Sequence, residues 1–152
     1  YQASLRFLSK EKAMKKIQGK GIVGGKACGR AVVSERPFGF FGGVNPKTGV
    51  VIDKWHELYG ESIKGKVFIY PEGRGSTVGA AIILELARTG CAPCAIVNCN
   101  IETITAGGGV MAKTFYDVDI PMIDGISKEE LMAIPQDAEV EVDGDAGIIT
   151  VL

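Results

Sequence analysis

The spacing of apolar residues changes along the chain, and each change predicts a different element. Over residues 1–18, Leu5, Leu8, Ala13 and Ile17 recur at roughly helical spacing in a polar segment, which predicts a helical leader closed by Gly19. Apolar, β-branched runs bounded by Gly and Pro then predict strands over 21–23, 28–34, 49–53 and 66–70. Asn45-Pro46 and Gly49 predict a tight turn, with Gly49 suited to the left-handed conformation. A loop over 71–75 leads to a helix over 78–89, with Ser76 or Thr77 as N-cap and Gly90 as stop. Val78, Ile82 and Leu86, flanked by Ala81 and Leu84, give that helix a broad apolar face suited to lying on a sheet. A buried strand over 95–99 completes a strand–helix–strand unit.

Helical pieces over 101–106 and 110–116, broken by Gly107-Gly108-Gly109, precede a strand over 120–123. Ser127 caps a helix over 127–133 that carries Glu129 and Glu130 in its first turn. The chain closes in a hairpin, 138–142 and 148–152, around Asp143-Gly144-Asp145-Ala146-Gly147. The predicted fold class is mixed α/β: one β/β/α domain over 19–152 behind the leader 1–18.

Composition narrows this further. Glycine accounts for 21 of 152 residues, about twice the usual ~7%. These glycines sit among apolar runs and so mark turns and close backbone approaches, which excludes collagen, coiled coil and disorder. Seventeen Lys and Arg against eighteen Asp and Glu leave a net charge of −1, so no pull toward nucleic acid or anionic membrane is expected. No apolar stretch is long enough to span a bilayer, and the Lys-rich first twenty residues do not read as a secretory signal. The start at Tyr1 points to a trimmed chain, and the cytoplasm is the expected compartment. Four cysteines are too few for a disulfide scaffold at this length.

The densest chemical signal is Gly73-Arg74-Gly75-Ser76-Thr77-Val78-Gly79 between a strand and a helix. Amides at a helix start, with the positive end of its dipole, make an anion site, and Arg74 adds a planar cation. The same residues also suit a plain turn, a serine cap and a solvated arginine. The spacing is not the dinucleotide fingerprint, Asn98 stands where an acidic ribose ligand is expected, and no Walker lysine follows. Cys91, Cys94 and Cys99 are badly spaced for one metal, since the last two bracket a strand. The single histidine, His56, excludes a multi-histidine site and suits a structural loop role.

The order of these pieces resembles a known family. Ala31-Val32-Val33-Ser34, then 39–49 with its Gly-Gly-Val-Asn-Pro-Lys-Thr-Gly run, then 73–79, then 90–96 together resemble the aconitase X swivel domain from about Gly21 to Leu152. The resemblance implies a swivelling β/β/α domain that is inactive alone. Its implied partner is a large aconitase-X-type subunit or domain holding an iron–sulfur cluster, with no cofactor or metal on this chain. Family members dehydrate small anionic hydroxy acids, as phosphomevalonate dehydratase and cis-3-hydroxy-L-proline dehydratase do. Carried over, Ser76 becomes the catalytic proton acceptor, and Arg74, Gly75 and Thr77 become substrate-binding. Gly42, Gly43 and Gly73 become loop-shaping. The leader has no counterpart in this pattern, and Trp55-His56-Glu57-Leu58 is nearer the bacterial than the archaeal form. Two alternatives stand beside this reading: a non-catalytic cleft-closing scaffold, and a phosphohistidine-type swivel domain, whose Thr-x-His-Ala setting His56 lacks.

Overall fold

The computed structural model describes residues 15–74 and 77–152. Across them run β1 (Lys15–Gln18), β2 (Lys20–Val23), β3 (Lys26–Val33), β4 (Val67–Ile69), α1 (Val78–Thr89) and β5 (Ala95–Val97). Then follow α2 (Thr103–Tyr116), β6 (Met122–Asp124), α3 (Lys128–Met132), β7 (Glu139–Asp143) and β8 (Ile148–Val151). The strands form one sheet in the order β1-β8-β7-β3-β4-β5-β6-β2.

The eight-residue β3 joins its two halves. From Lys26 to Arg30 it pairs antiparallel with β7, and its side chains alternate between exposed and half-buried. From Ala31 to Val33 it pairs parallel with β4 and is buried throughout. This switch from alternation to a continuous apolar run is what a sheet open on one face, then covered on both, requires. β4, β5 and β6 continue the parallel half, each fully buried.

β1 and β2 lie at opposite ends of the strand order yet are separated only by Gly19, so the sheet curls into a near-barrel. The seam needs glycine. The Gly19 amide donates to the Gly147 carbonyl at 2.8 Å, and a methyl at Gly19 would fall 2.6 Å from the Asp124 carbonyl oxygen. A methyl at Gly21 would overlap the Gly144 carbonyl oxygen.

Side-chain alternation splits the interior into two layers. Phe68, Tyr70, Ile96 and Met122 face α1, α2 and the long 34–66 connection, packing with Phe38, Phe40, Ile83 and Leu86. Val67, Ile69, Val97 and Ile123 face inward onto Val140, Val142 and Ile149, with Leu131 and Ile134 closing that layer.

The β4–α1–β5 unit and the β7–β8 hairpin stand where the sequence pattern places them. Three elements differ. Residues 15–18 are a strand and not the end of a helix: Ile17 alone is buried between exposed Lys16 and Gln18, and the segment pairs with β8. The rest of the predicted leader lies outside the described residues. Residues 49–53 form only isolated bridges, Val44 to Val51 and Val50 to Ser62, because Gly49 turns sharply at φ 74°. Gly107-Gly108-Gly109 does not break a helix but lies inside α2. A methyl at Gly108 would come 3.0 Å from Ile83 Cβ of α1, and one at Gly109 would come 2.6 Å from Met122 Cε. Close packing offsets the roughly 1 kcal/mol each glycine costs a helix.

A candidate active-site rim at the ends of the parallel strands

In α/β sheets ligands bind outside the carboxyl ends of the strands. Here those ends carry the 34–44 segment after β3, the 70–74 segment after β4 and the 98–102 segment after β5. The three extend the sheet by single parallel bridges, Phe38 to Gly73 and Glu72 to Asn100. The Phe38 amide donates to the Glu72 carbonyl and the Arg74 amide to the Phe38 carbonyl, both at 3.1 Å. Below them the buried Phe38 ring stands edge-on to Phe40 and Phe68, with centroids 5.3 and 4.9 Å away. An aromatic floor thus holds the rim segments at fixed height.

Five predicted residues are placed on this rim, Arg74, Gly42, Gly43, Gly73 and Thr77. Arg74 is exposed, and its guanidinium has no partner among the described residues. Gly39 lies against it: a methyl there would come 3.3 Å from Arg74 Cβ. A methyl at Gly43 would overlap the Gly39 carbonyl oxygen and come 2.8 Å from Phe38 Cζ, so Gly43 ties its loop to the same floor. Gly42 turns that loop at φ 77° with open space around it. Gly73 has no room for a side chain, because a Cβ would overlap a carboxylate oxygen of Glu102. Thr77 opens α1, is exposed, and makes no side-chain cap hydrogen bond, contrary to the capping role open to it. Gly75 and Ser76 lie outside the described residues.

Sequence reasoning missed a polar knot beneath the rim, in which Ser34 and His56 are buried and Glu57 is exposed. Ser34, fully buried at the end of β3, donates its hydroxyl to Glu57 Oε1 at 2.6 Å. The same oxygen accepts the Glu35 and Arg36 amides at 2.7 and 3.1 Å. His56 Nδ1 accepts the Leu58 amide at 3.1 Å, so the neutral ring carries its proton on Nε2, which faces Ser34 Oγ at 3.3 Å. A donor aimed at the serine is the reverse of a nucleophile's base, so this trio is a clasp and not a hydrolase triad. It pins the 53–60 segment to the sheet. No spacing rule pairs residues twenty-two apart in a loop, so the sequence carries no signal for it.

Burial alone would raise the Glu57 carboxyl above its ordinary 4.5, but the Ser34 hydroxyl, the two amides and nearby His56 outweigh it and hold it lower. A carboxyl lowered by folding stabilises above its unfolded value and loses that contribution as pH falls through the lowered one. Urea midpoints of the wild type and Glu57→Gln should therefore differ most above pH 4.5 and converge below it. A gap unchanged across that window contradicts the clasp.

The cysteines do not fit an iron–sulfur cluster. Cys91 packs on the helical side of the sheet, whereas Cys94 and Cys99 pack on the inner side, one before β5 and one after it. Burial pushes the Cys94 thiol up to about 11 and raises Cys99 as well, which disfavours the thiolates a metal needs. Among the described residues no group of three or more His, Cys, Asp or Glu gathers to hold a metal ion. Among those residues, too, no helix is long and apolar enough to cross a membrane.

Comparison with known proteins adds the following. The family described as aconitase X swivel domain matches residues 16–151. The phosphomevalonate dehydratase small subunit of Methanocella arvoryzae is 44% identical over 133 residues, covering 88% of this chain and 96% of that protein. That of Methanothermobacter thermautotrophicus is 46% identical over 125 residues, covering 82% and 91%. Among solved structures, the holo-form of Thermococcus kodakaraensis aconitase X superposes with a TM-score of 0.82 at 40% identity, covering 91% of this chain and 98% of that one.

Proposed function

This chain belongs to the aconitase X swivel domain family, and we propose that it is the small subunit of a hydro-lyase that dehydrates mevalonate 5-phosphate in complex with a large subunit. The observation that carries this reading is the near full-length similarity to small subunits named for that activity. The rim agrees with it in chemistry. An exposed arginine with no partner among the described residues, a helix start and a Gly-rich loop suit an anionic substrate.

Removing water from a β-hydroxy acid requires a base for the proton next to the carboxylate and a means of drawing off the hydroxyl. In this reading Ser76 is the proton acceptor. Arg74 grips an anionic group of the substrate, with the Gly75 and Thr77 amides adding to the positive end of α1. Gly42, Gly43 and Gly73 shape the loops around it. The iron–sulfur cluster belongs to the partner, where it supplies Lewis-acid chemistry at the hydroxyl. The clasp of Ser34, His56 and Glu57 fixes the loop that faces the partner.

The test is substrate choice. The complex reconstituted with its large subunit should turn over mevalonate 5-phosphate, followed by formation of the conjugated alkene, and leave cis-3-hydroxy-L-proline unchanged. Turnover of the hydroxyproline alone would assign the chain to the other branch of the family.

A further inference from the structure

We propose that Trp55 and the apolar side chains near it form the face on which the large subunit docks, with the indole as the anchor that enters an apolar pocket of that partner. The inference rests on the reading above, in which a large subunit completes the enzyme, and adds where on this chain it lands.

Trp55 is the sole tryptophan of the chain, and it is 88% exposed. Folding thus leaves in water a side chain with about 150–250 Å² to gain from burial. Its main chain is nevertheless held at both polar groups. Asp53 Oδ1 accepts the Trp55 amide at 3.0 Å, and Arg36 Nη1 donates to the Trp55 carbonyl at 3.1 Å. The next two residues, His56 and Glu57, are those that the clasp ties to Ser34. The loop therefore fixes the backbone that carries the ring and packs the ring on nothing. A ring presented in this way loses little freedom when a partner covers it, which makes a tryptophan an efficient interface contact.

Phe41, 61% exposed, and Ile52, 46% exposed, extend the apolar face. The Ile52 amide donates to the Gly43 carbonyl at 2.9 Å, which sets their two segments side by side. Gly43 packs on the Phe38 ring and the Gly39 carbonyl, and Gly39 lies against Arg74. The face is continuous with the rim.

That continuity selects the occupant. A body that closes over Arg74 to complete a substrate site lies over Phe41 and Ile52 as well. A second copy of this chain seated there would instead shut Arg74 away from substrate. The exposed apolar residues of α2 have no such link to the rim. Phe115 and Tyr116 stand in its last turn, about 20 Å along the helix from the rim end.

The experiment incorporates 5-fluorotryptophan into the full chain, where it labels Trp55 alone, and titrates it with an unlabelled aconitase-X-type large subunit. The fluorine resonance of the free chain should show the solvent-isotope shift of an exposed indole, and saturation with the large subunit should abolish it. Trp55→Ala should raise the Kd of the pair by about 30-fold or more, and Phe41→Ala by about fivefold. Phe115→Ala should leave it within about twofold. At saturating concentration the Trp55→Ala chain should restore kcat on mevalonate 5-phosphate to within about twofold of wild type, as a docking contact requires. If Trp55→Ala does not fold, the fluorine shift and Phe41→Ala decide by the same criteria. A wild-type pair that binds and turns over while Trp55 stays exposed, or a Kd unmoved by Trp55→Ala, overturns the docking face and leaves the functional reading in place. An indole already shielded in the free chain, by a second copy or by the first fourteen residues, overturns it as well. A wild-type pair that neither binds nor turns over contradicts the functional reading, and the docking face falls with it.

Discussion

Ser76→Ala in the assembled enzyme should lower kcat by about 10²–10⁴, the span that removal of a general acid–base group produces. KM should move little, since the lost interaction belongs to the transition state and not to the bound ground state. The competing role for Ser76 is that of a helix cap, and it predicts something different. Loss of a cap costs about 1 kcal/mol of stability, which leaves catalysis intact. Thr77 makes no side-chain cap hydrogen bond in the present structure, so a capping loss would show undiluted in the unfolding midpoint. Steady-state kinetics beside urea denaturation separates the two. A normal kcat with a lowered midpoint makes Ser76 a cap and the chain a lid over its partner's site.

Arg74→Ala should act chiefly on KM, raising it about 10- to 100-fold, with Arg74→Lys recovering only part of the loss. A charge-assisted contact to an anion contributes about 1.5–3 kcal/mol, and a bidentate guanidinium is poorly replaced by an ammonium. The structure supports this division of labour. Arg74 is exposed and unpaired among the described residues, so its removal breaks no contact there and should leave stability within about 0.5 kcal/mol. Equal KM in wild type and Arg74→Ala would move the anion grip to the partner subunit.

The elements legible in the sequence are those decided by neighbours in the chain. The αL glycine after α1, at Gly90, and the Gly147 turn between β7 and β8 declare themselves because left-handed positions select glycine locally. The same residue type misleads where its reason is distant. Gly108 and Gly109 read as breakers, yet they are the faces on which Ile83 and Met122 pack. Lys15–Gln18 carries a single buried side chain, Ile17, too little to fix a period, and its pairing with β8 is contributed by the far end of the chain.

The candidate site divides along the same line. Arg74, Gly75, Ser76 and Thr77 form one contiguous motif at a strand–helix junction, a place physics marks for anions. Gly42 and Gly43 follow from the Asn-Pro turn beside them. Glu57 and Glu102 carry no such mark. Each gains its meaning only when folding sets it against a residue remote in sequence, Ser34 for one and Gly73 for the other. A lone acidic residue in a polar stretch reads as surface charge until that contact is seen.

The most direct measurement of the central claim is the rate of mevalonate 5-phosphate dehydration by this chain, by an aconitase-X-type large subunit, and by their equimolar mixture. The account predicts activity only in the mixture, saturating as this chain is titrated to one equivalent. A large subunit whose rate is the same with and without this chain would contradict it.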